Sequence, residues 1–72
     1  MRLTTKIKKA IDQEINGMAS ILEEDEMMNW REIVECLNDN QNIFLSGDED
    51  DQEVMDYLVY KVNQYNGRQN KC

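Results

Sequence analysis

The chain has no histidine and no proline, one phenylalanine, two cysteines and three glycines among its 72 residues. Each shortage closes a class of function. Without histidine the commonest general base at neutral pH is missing. Gly17, Gly47 and Gly67 lie too far apart to form a phosphate-cradling loop. Cys36 and Cys72 do not make a disulfide framework, and without histidine they fall short of the four ligands a structural zinc needs. The same cysteine usage fits a reducing compartment. No segment approaches the roughly 20 apolar residues that span a bilayer. No long apolar run follows the basic N-terminus, so no signal peptide is expected. The expectation is one small cytoplasmic domain over residues 1–72 that is not an enzyme and uses neither cofactor nor metal.

What remains is helical periodicity. Ile7, Ile11, Ile15, Met18 and Leu22 recur at helical spacing, which predicts a first helix from Thr4 or Thr5 to about Glu24, interrupted by Gly17. Trp30, Ile33, Val34 and Leu37 follow the i, i+3, i+4, i+7 pattern of a buried face. They predict a second helix over about 29–37, with Asn29 and Glu32 as a capping box and Trp30 as its core anchor. Asn38-Asp39-Asn40-Gln41-Asn42 favours a turn. Asn38, Asn40, Asn42 and Glu49 also fall at positions 1, 3, 5 and 12 of a calcium-loop window. That window lacks aspartate at its start and has Ile43 where the loop needs glycine, so a polar turn is expected there. Ile43, Phe44 and Leu45 read as an extended piece tucking into the core. Ser46, with Glu49 as its capping-box partner, opens the last helix. Val54, Met55, Leu58, Val59, Val62 and Tyr65 form its apolar face, Asn66-Gly67 marks its stop, and a tail of about 67–72 frays. The fold class is all-α: a small three-helix bundle with short connections, which homodimerisation along the isoleucine stripe would complete.

Charge is segregated along the chain. Arg2, Lys6, Lys8 and Lys9 give +4 in the first nine residues. From Ala10 to Tyr60 there are fifteen acids against Arg31 alone, a balance of −14, and Lys61, Arg68 and Lys71 add +3. Glu23, Glu24, Asp25 and Glu26 form one acidic cluster. Asp48, Glu49, Asp50, Asp51, Glu53 and Asp56 form a second, and Tyr57 and Tyr60 are expected on the same outer face. Asp12, Glu14, Glu32, Glu35 and Asp39 lie between the clusters in sequence.

A carboxylate array on rigid helices meets the same lysines and arginines that receive nucleic-acid phosphates, and it steers itself onto them. The expected function is therefore that of an acidic inhibitor or regulator. It docks on the basic surface of a partner protein, one that handles nucleic acid, and the twelve clustered residues named above supply the contacts. Size, acidity and the lack of catalytic groups are similar in kind to small regulators encoded by bacteriophages and mobile elements, some of which mimic DNA; that likeness is compositional. Direct binding to nucleic acid or an anionic membrane is disfavoured by the acidic field. A helix-turn-helix reading fails because the last helix opens with acids instead of bases and amides. The competing expectation is an adaptor or self-assembling dimer with an apolar interface, made from the isoleucine stripe or from Trp30, Met27 and Met28.

Overall fold

In the computed structural model, which describes residues 1–69, three α-helices fold up, down and up. Helix α1 spans Thr5–Ile21. Thr4 caps it through a hydroxyl that accepts the Ile7 N–H at 3.2 Å, a contact of the kind worth about 1 kcal/mol. The helix stops short of Glu24 because Leu22 turns extended, with φ −77° and ψ 145°. Glu23 to Glu26 then form a tight turn in which the Glu26 carboxylate accepts the Glu23 N–H at 2.9 Å.

Helix α2 spans Trp30–Gln41, one turn longer than the spacing of apolar residues predicts. Asn29 caps it, accepting the Arg31 N–H at 3.0 Å. The stretch expected to turn at Asn38 remains helical, and the break falls at Asn42, which adopts a left-handed backbone with φ 56°. Asparagine tolerates that conformation better than most residues. Tertiary contacts explain the extra turn. Asn40 and Gln41 both donate to Glu14 on α1, at 3.0 and 2.9 Å. Because Asn38 and Asn40 are helical, the twelve-residue window does not form a calcium loop.

Residues 42–48 are irregular, and Gly47 supplies a positive φ of 82°. Ile43 and Leu45 pack on the core while Phe44 between them stays exposed, so the expected tuck is made by two of the three. A single 3-10 turn, Glu49–Asp51, leads into α3, Gln52–Gln69. The Ser46–Glu49 capping box does not form. Ser46 instead donates its N–H and its hydroxyl to Asp51, both at 2.9 Å. Helix α3 runs through Asn66 and Gly67 without stopping, so the expected frayed tail is helical as far as Gln69; its remainder, with Lys71 and Cys72, lies outside the described residues.

The core holds Ile11 and Ile15 from α1, Ile33 and Leu37 from α2, Val54, Leu58 and Val62 from α3, and Met28. Ile7, Met18 and Leu22 lie partly buried against it. Ile11 and Ile15 of the isoleucine stripe are thus covered inside one chain, while Ile7, Met18 and Leu22 are partly so. Trp30 is a correction: it sits at the surface beside the Arg31 guanidinium, 5.3 Å from its ring centre, and Met28 takes the core position expected of it.

The bundle measures 37 × 21 × 19 Å. Contacts fix the helix directions. The Met1 amine meets Asp51 just before α3, and Asp12 meets Tyr57 and Lys61 on α3. Ile15 and Ala19 share a small cavity with Lys61, Tyr65 and Arg68. Helices α1 and α3 therefore run parallel, with α2 antiparallel to both.

Candidate acidic interaction surface

That direction rule separates the two acidic clusters. Glu23 to Glu26 join the end of α1 to the start of α2, near Asn66 late in α3. Asp48 to Asp50 lie beside the start of α1. The 17-residue helix α1 stands between the two ends and is about 25 Å long. The clusters occupy opposite ends of the bundle and do not merge into one patch.

Ten of the twelve expected residues are exposed: Glu23, Glu24, Asp25, Glu26, Asp48, Glu49, Asp50, Glu53, Asp56 and Tyr60. Two are placed differently. Asp51 is buried, accepting from Ser46 and from the Met1 ammonium at 3.0 Å. Those hydrogen bonds, the Ser46 N–H foremost, hold its carboxyl down at about 2, against an ordinary value of 3.8. It closes the junction between the 42–48 segment and α3 and offers no face to a partner. Tyr57 packs against the core, and its hydroxyl donates to Asp12 at 2.9 Å. The Lys8 and Lys61 ammonium groups sit 5.8 and 6.0 Å from its ring centre. Burial, then the bond to Asp12, raises the Tyr57 phenol above its usual range. The surface around Tyr57 is thus a mixed, partly basic face between α1 and α3, not an acidic one.

Helix α2 carries the carboxylates that the clustered reading passed over. Glu32, Glu35 and Asp39 are exposed and recur at steps of three and four, one stripe along the outward side of the helix. Cys36 reports their field. Its thiol is shifted upward, first by burial and then by Glu14, Asp39, Glu32 and Glu35. The signal was present in the sequence as an i, i+3, i+7 run, although it is less dense than the consecutive acids on either side.

Little of this charge is neutralised within the chain. Of fifteen carboxylates, only Asp51 and Asp12 form ion pairs among the described residues, the second with Lys61 at 3.9 Å. Helix α1 is moreover charged against its own dipole. Its first turn holds Lys6 and Lys8 and no acid, its last turn holds no base, and four acids follow its C-terminus. Each such placement costs about 0.3–1 kcal/mol where exposed.

Two other features complete the surface. Ile21, Met27 and Trp30 are exposed at the end of the bundle that carries Glu23 to Glu26. A shallow groove of about 480 Å³ opens between the first half of α1 and the end of α2. Lys6 and Lys9 flank it, Ile7, Ala10 and Ile43 form its apolar lining, and no carboxylate lines it. No group of three or more potential metal ligands occurs among the described residues. No helix among them is long and apolar enough to cross a membrane.

Comparison with known proteins matches no family model, no curated protein and no solved structure.

Proposed function

We propose that this protein is a binding module that docks through its acidic surface on a basic, nucleic-acid-binding surface of a partner protein and so competes with nucleic acid there. The observation that carries the reading is the set of exposed carboxylates left without a cation: Glu32, Glu35 and Asp39 along α2, and Asp25 and Glu26 in the turn that precedes it. A compact chain of net charge −7 pays a self-repulsion that binding to lysines and arginines relieves. Carboxylates one helical turn apart present a repeat of about 5.4 Å on a rigid support. Exposed Trp30 and Met27, at the start of α2, would supply apolar contact of the kind enriched in interface cores. The Asp48-to-Asp50 end, with Glu53, Asp56 and Tyr60, is a second and separate acidic contact.

The test is capture by the immobilised protein at low and high salt, with duplex DNA as competitor. Docking through charge weakens as screening shortens to about 8 Å at physiological ionic strength and further above it. The expected result is a nucleic-acid-binding protein that is retained at low salt and displaced by DNA. The triple variant Glu32→Gln, Glu35→Gln, Asp39→Asn should lose it while keeping its helical circular dichroism. Retention that survives high salt, or is indifferent to the triple variant, overturns the reading. It would favour instead an apolar adaptor working through Ile21, Met27 and Trp30, the second reading their exposure supports.

A further inference from the structure

Helix α1 carries a second face that the bundle covers only at Ala10. Lys6, Gln13, Gly17 and Ile21 are exposed along one line of the helix, which passes over the buried Ala10 and lies about a third of a turn from Ile11 and Ile15. Glu23 and Glu24 follow in the turn just past the helix end. The line begins in the basic groove, whose lining includes Lys6, Lys9, Ala10 and Gln13. It ends at an isoleucine that is 73% exposed and at the first acidic cluster. Between them, a Cβ built at Gly17 would meet nothing within 4 Å. Packing within the chain therefore gives no reason for a glycine there, although glycine is unfavourable inside a helix.

The two charged ends are complementary, yet they cannot meet within one molecule. Lys6 and Ile21, the last residue of α1, are fifteen residues apart along the rod, about 22 Å, and Glu24 lies beyond its end. Lys6, Lys9 and Glu24 have no ion-pair partner among the described residues. A second copy turned end for end brings the opposite signs together and sets two helix dipoles antiparallel.

We propose that this face of α1 is a twofold homodimer interface in which the α1 helices of two copies pair antiparallel. With the axis near the level of Ile15, Lys6 faces Glu24 of the other copy, Gln13 faces Gly17, and Ile21 enters the groove over Ala10 and Ile43. The small side chains at Ala10 and Gly17 let the two helices approach closely. Each α1 end, charged against its own dipole, gains a counter-charge from the other copy. A closed isologous pair uses every contact twice. One helix face is smaller than a standard protein interface, so the dimer is weak and concentration-dependent. Ile11 and Ile15, buried in the core, take no part, whereas Ile7 lines the groove.

The test uses the protein alone, under a thiol reductant that excludes disulfide linkage through Cys72. No partner protein is present, so its outcome is independent of the acidic-docking reading. Sedimentation equilibrium from micromolar to millimolar concentration should show a mass that rises to twice the monomer and then stops. Gly17→Arg, placed in open space, should remain monomeric with unchanged helicity. Ile21→Ser should do the same and serves as the second probe if Gly17→Arg folds poorly. The charge-reversed pairs Lys6→Glu with Lys9→Glu, and Glu23→Lys with Glu24→Lys, should each be monomeric alone. Mixed in equal amounts they should recover a dimer, because every contact then joins opposite signs. A wild-type protein that stays monomeric at millimolar concentration overturns the proposal. Mass that keeps growing beyond the dimer does so too, as does a dimer indifferent to Gly17→Arg and Ile21→Ser.

Discussion

Removing the Asn66 side chain should unfasten one end of the bundle. Its amide oxygen accepts the Met28 N–H at 2.7 Å, and its amide nitrogen donates to the Met28 carbonyl at 3.0 Å. One side chain thus satisfies both backbone groups of a residue that is only 4% exposed. In Asn66→Ala each lost bond removes about 1 kcal/mol, and Met28 groups kept from water add to that, for a total of about 2–3 kcal/mol. A domain of this length holds about 4–11 kcal/mol in all. At about 4–8 °C per kcal/mol, the thermal midpoint should fall by roughly 10–20 °C. Asn66→Asp is the sharper probe. It keeps the acceptor for the Met28 N–H but aims a carboxylate at the Met28 carbonyl, and it should recover little of the loss. Thermal and urea denaturation followed by circular dichroism measure the change, and hydrogen exchange at the Met28 amide locates it. A midpoint shift equivalent to less than about 0.5 kcal/mol, with Met28 still protected, would refute the reasoning.

The core and the charges yield further expectations. Leu58→Ala, at a fully buried site, should cost about 2–5 kcal/mol and leave a marginal or unfolded chain in urea melts. Gly17→Ala should raise stability by about 1 kcal/mol, since glycine is the poorer helix former and the added methyl meets nothing within 4 Å. The Asp51 carboxyl lies at about 2 in the folded chain against 3.8 ordinarily, so its contribution is complete above pH 4 and disappears as pH falls from there through 2. Acid melts of Asp51→Asn should therefore lack the part of the wild-type decline that falls in that window. Cys36, measured in a Cys72→Ser background by thiolate absorbance, should titrate above its usual value of 9.0. Neutralising Glu32, Glu35 and Asp39 together should bring it down, and an unchanged titration would show that those carboxylates do not surround the thiol.

Periodicity made the three helices and most of their buried residues legible. Ile11, Ile15, Ile33, Leu37, Val54, Leu58 and Val62 all lie where an i, i+3, i+4 reading puts them. What failed were local signals that tertiary contacts override. The asparagine run of α2 reads as a turn, but Glu14 across the bundle holds Asn40 and Gln41 in the helix. Asn66-Gly67 reads as a stop, but Asn66 turns sideways to bind Met28, and its backbone stays helical. Ser46 reads as a helix cap, but it bonds Asp51 instead of the Glu49 N–H. In each case a polar side chain with one local use was taken by a partner distant in sequence or by a tighter neighbour. Trp30 fails for another reason. It opens α2, at an end where little of the bundle lies above it, so a residue with the right spacing still faces water.

The placement of charge was the part least legible, because it depends on helix direction. An up–down–down path would have set Glu23 to Glu26 and Asp48 to Asp56 in a different relation. Helix α2 brings the chain back to the start of α1, and the irregular segment 42–48 keeps it at that end before α3 begins, so α3 runs parallel to α1. That single choice sends the two acidic clusters to opposite ends. It leaves the outward stripe of α2 as the acidic surface that runs along the bundle, and it gathers Lys8, Lys61 and Asp12 around Tyr57 on another side. The molecule is therefore bipolar across its waist as well as acidic overall. A partner with a flat basic surface meets one acidic end or the α2 stripe, but not both ends at once. A groove that follows the bundle for its 37 Å length is the only kind of basic site that engages all three. Neutralising the stripe and each end separately distinguishes the two cases. Losses confined to one region indicate a flat site, and losses shared among all three indicate a groove.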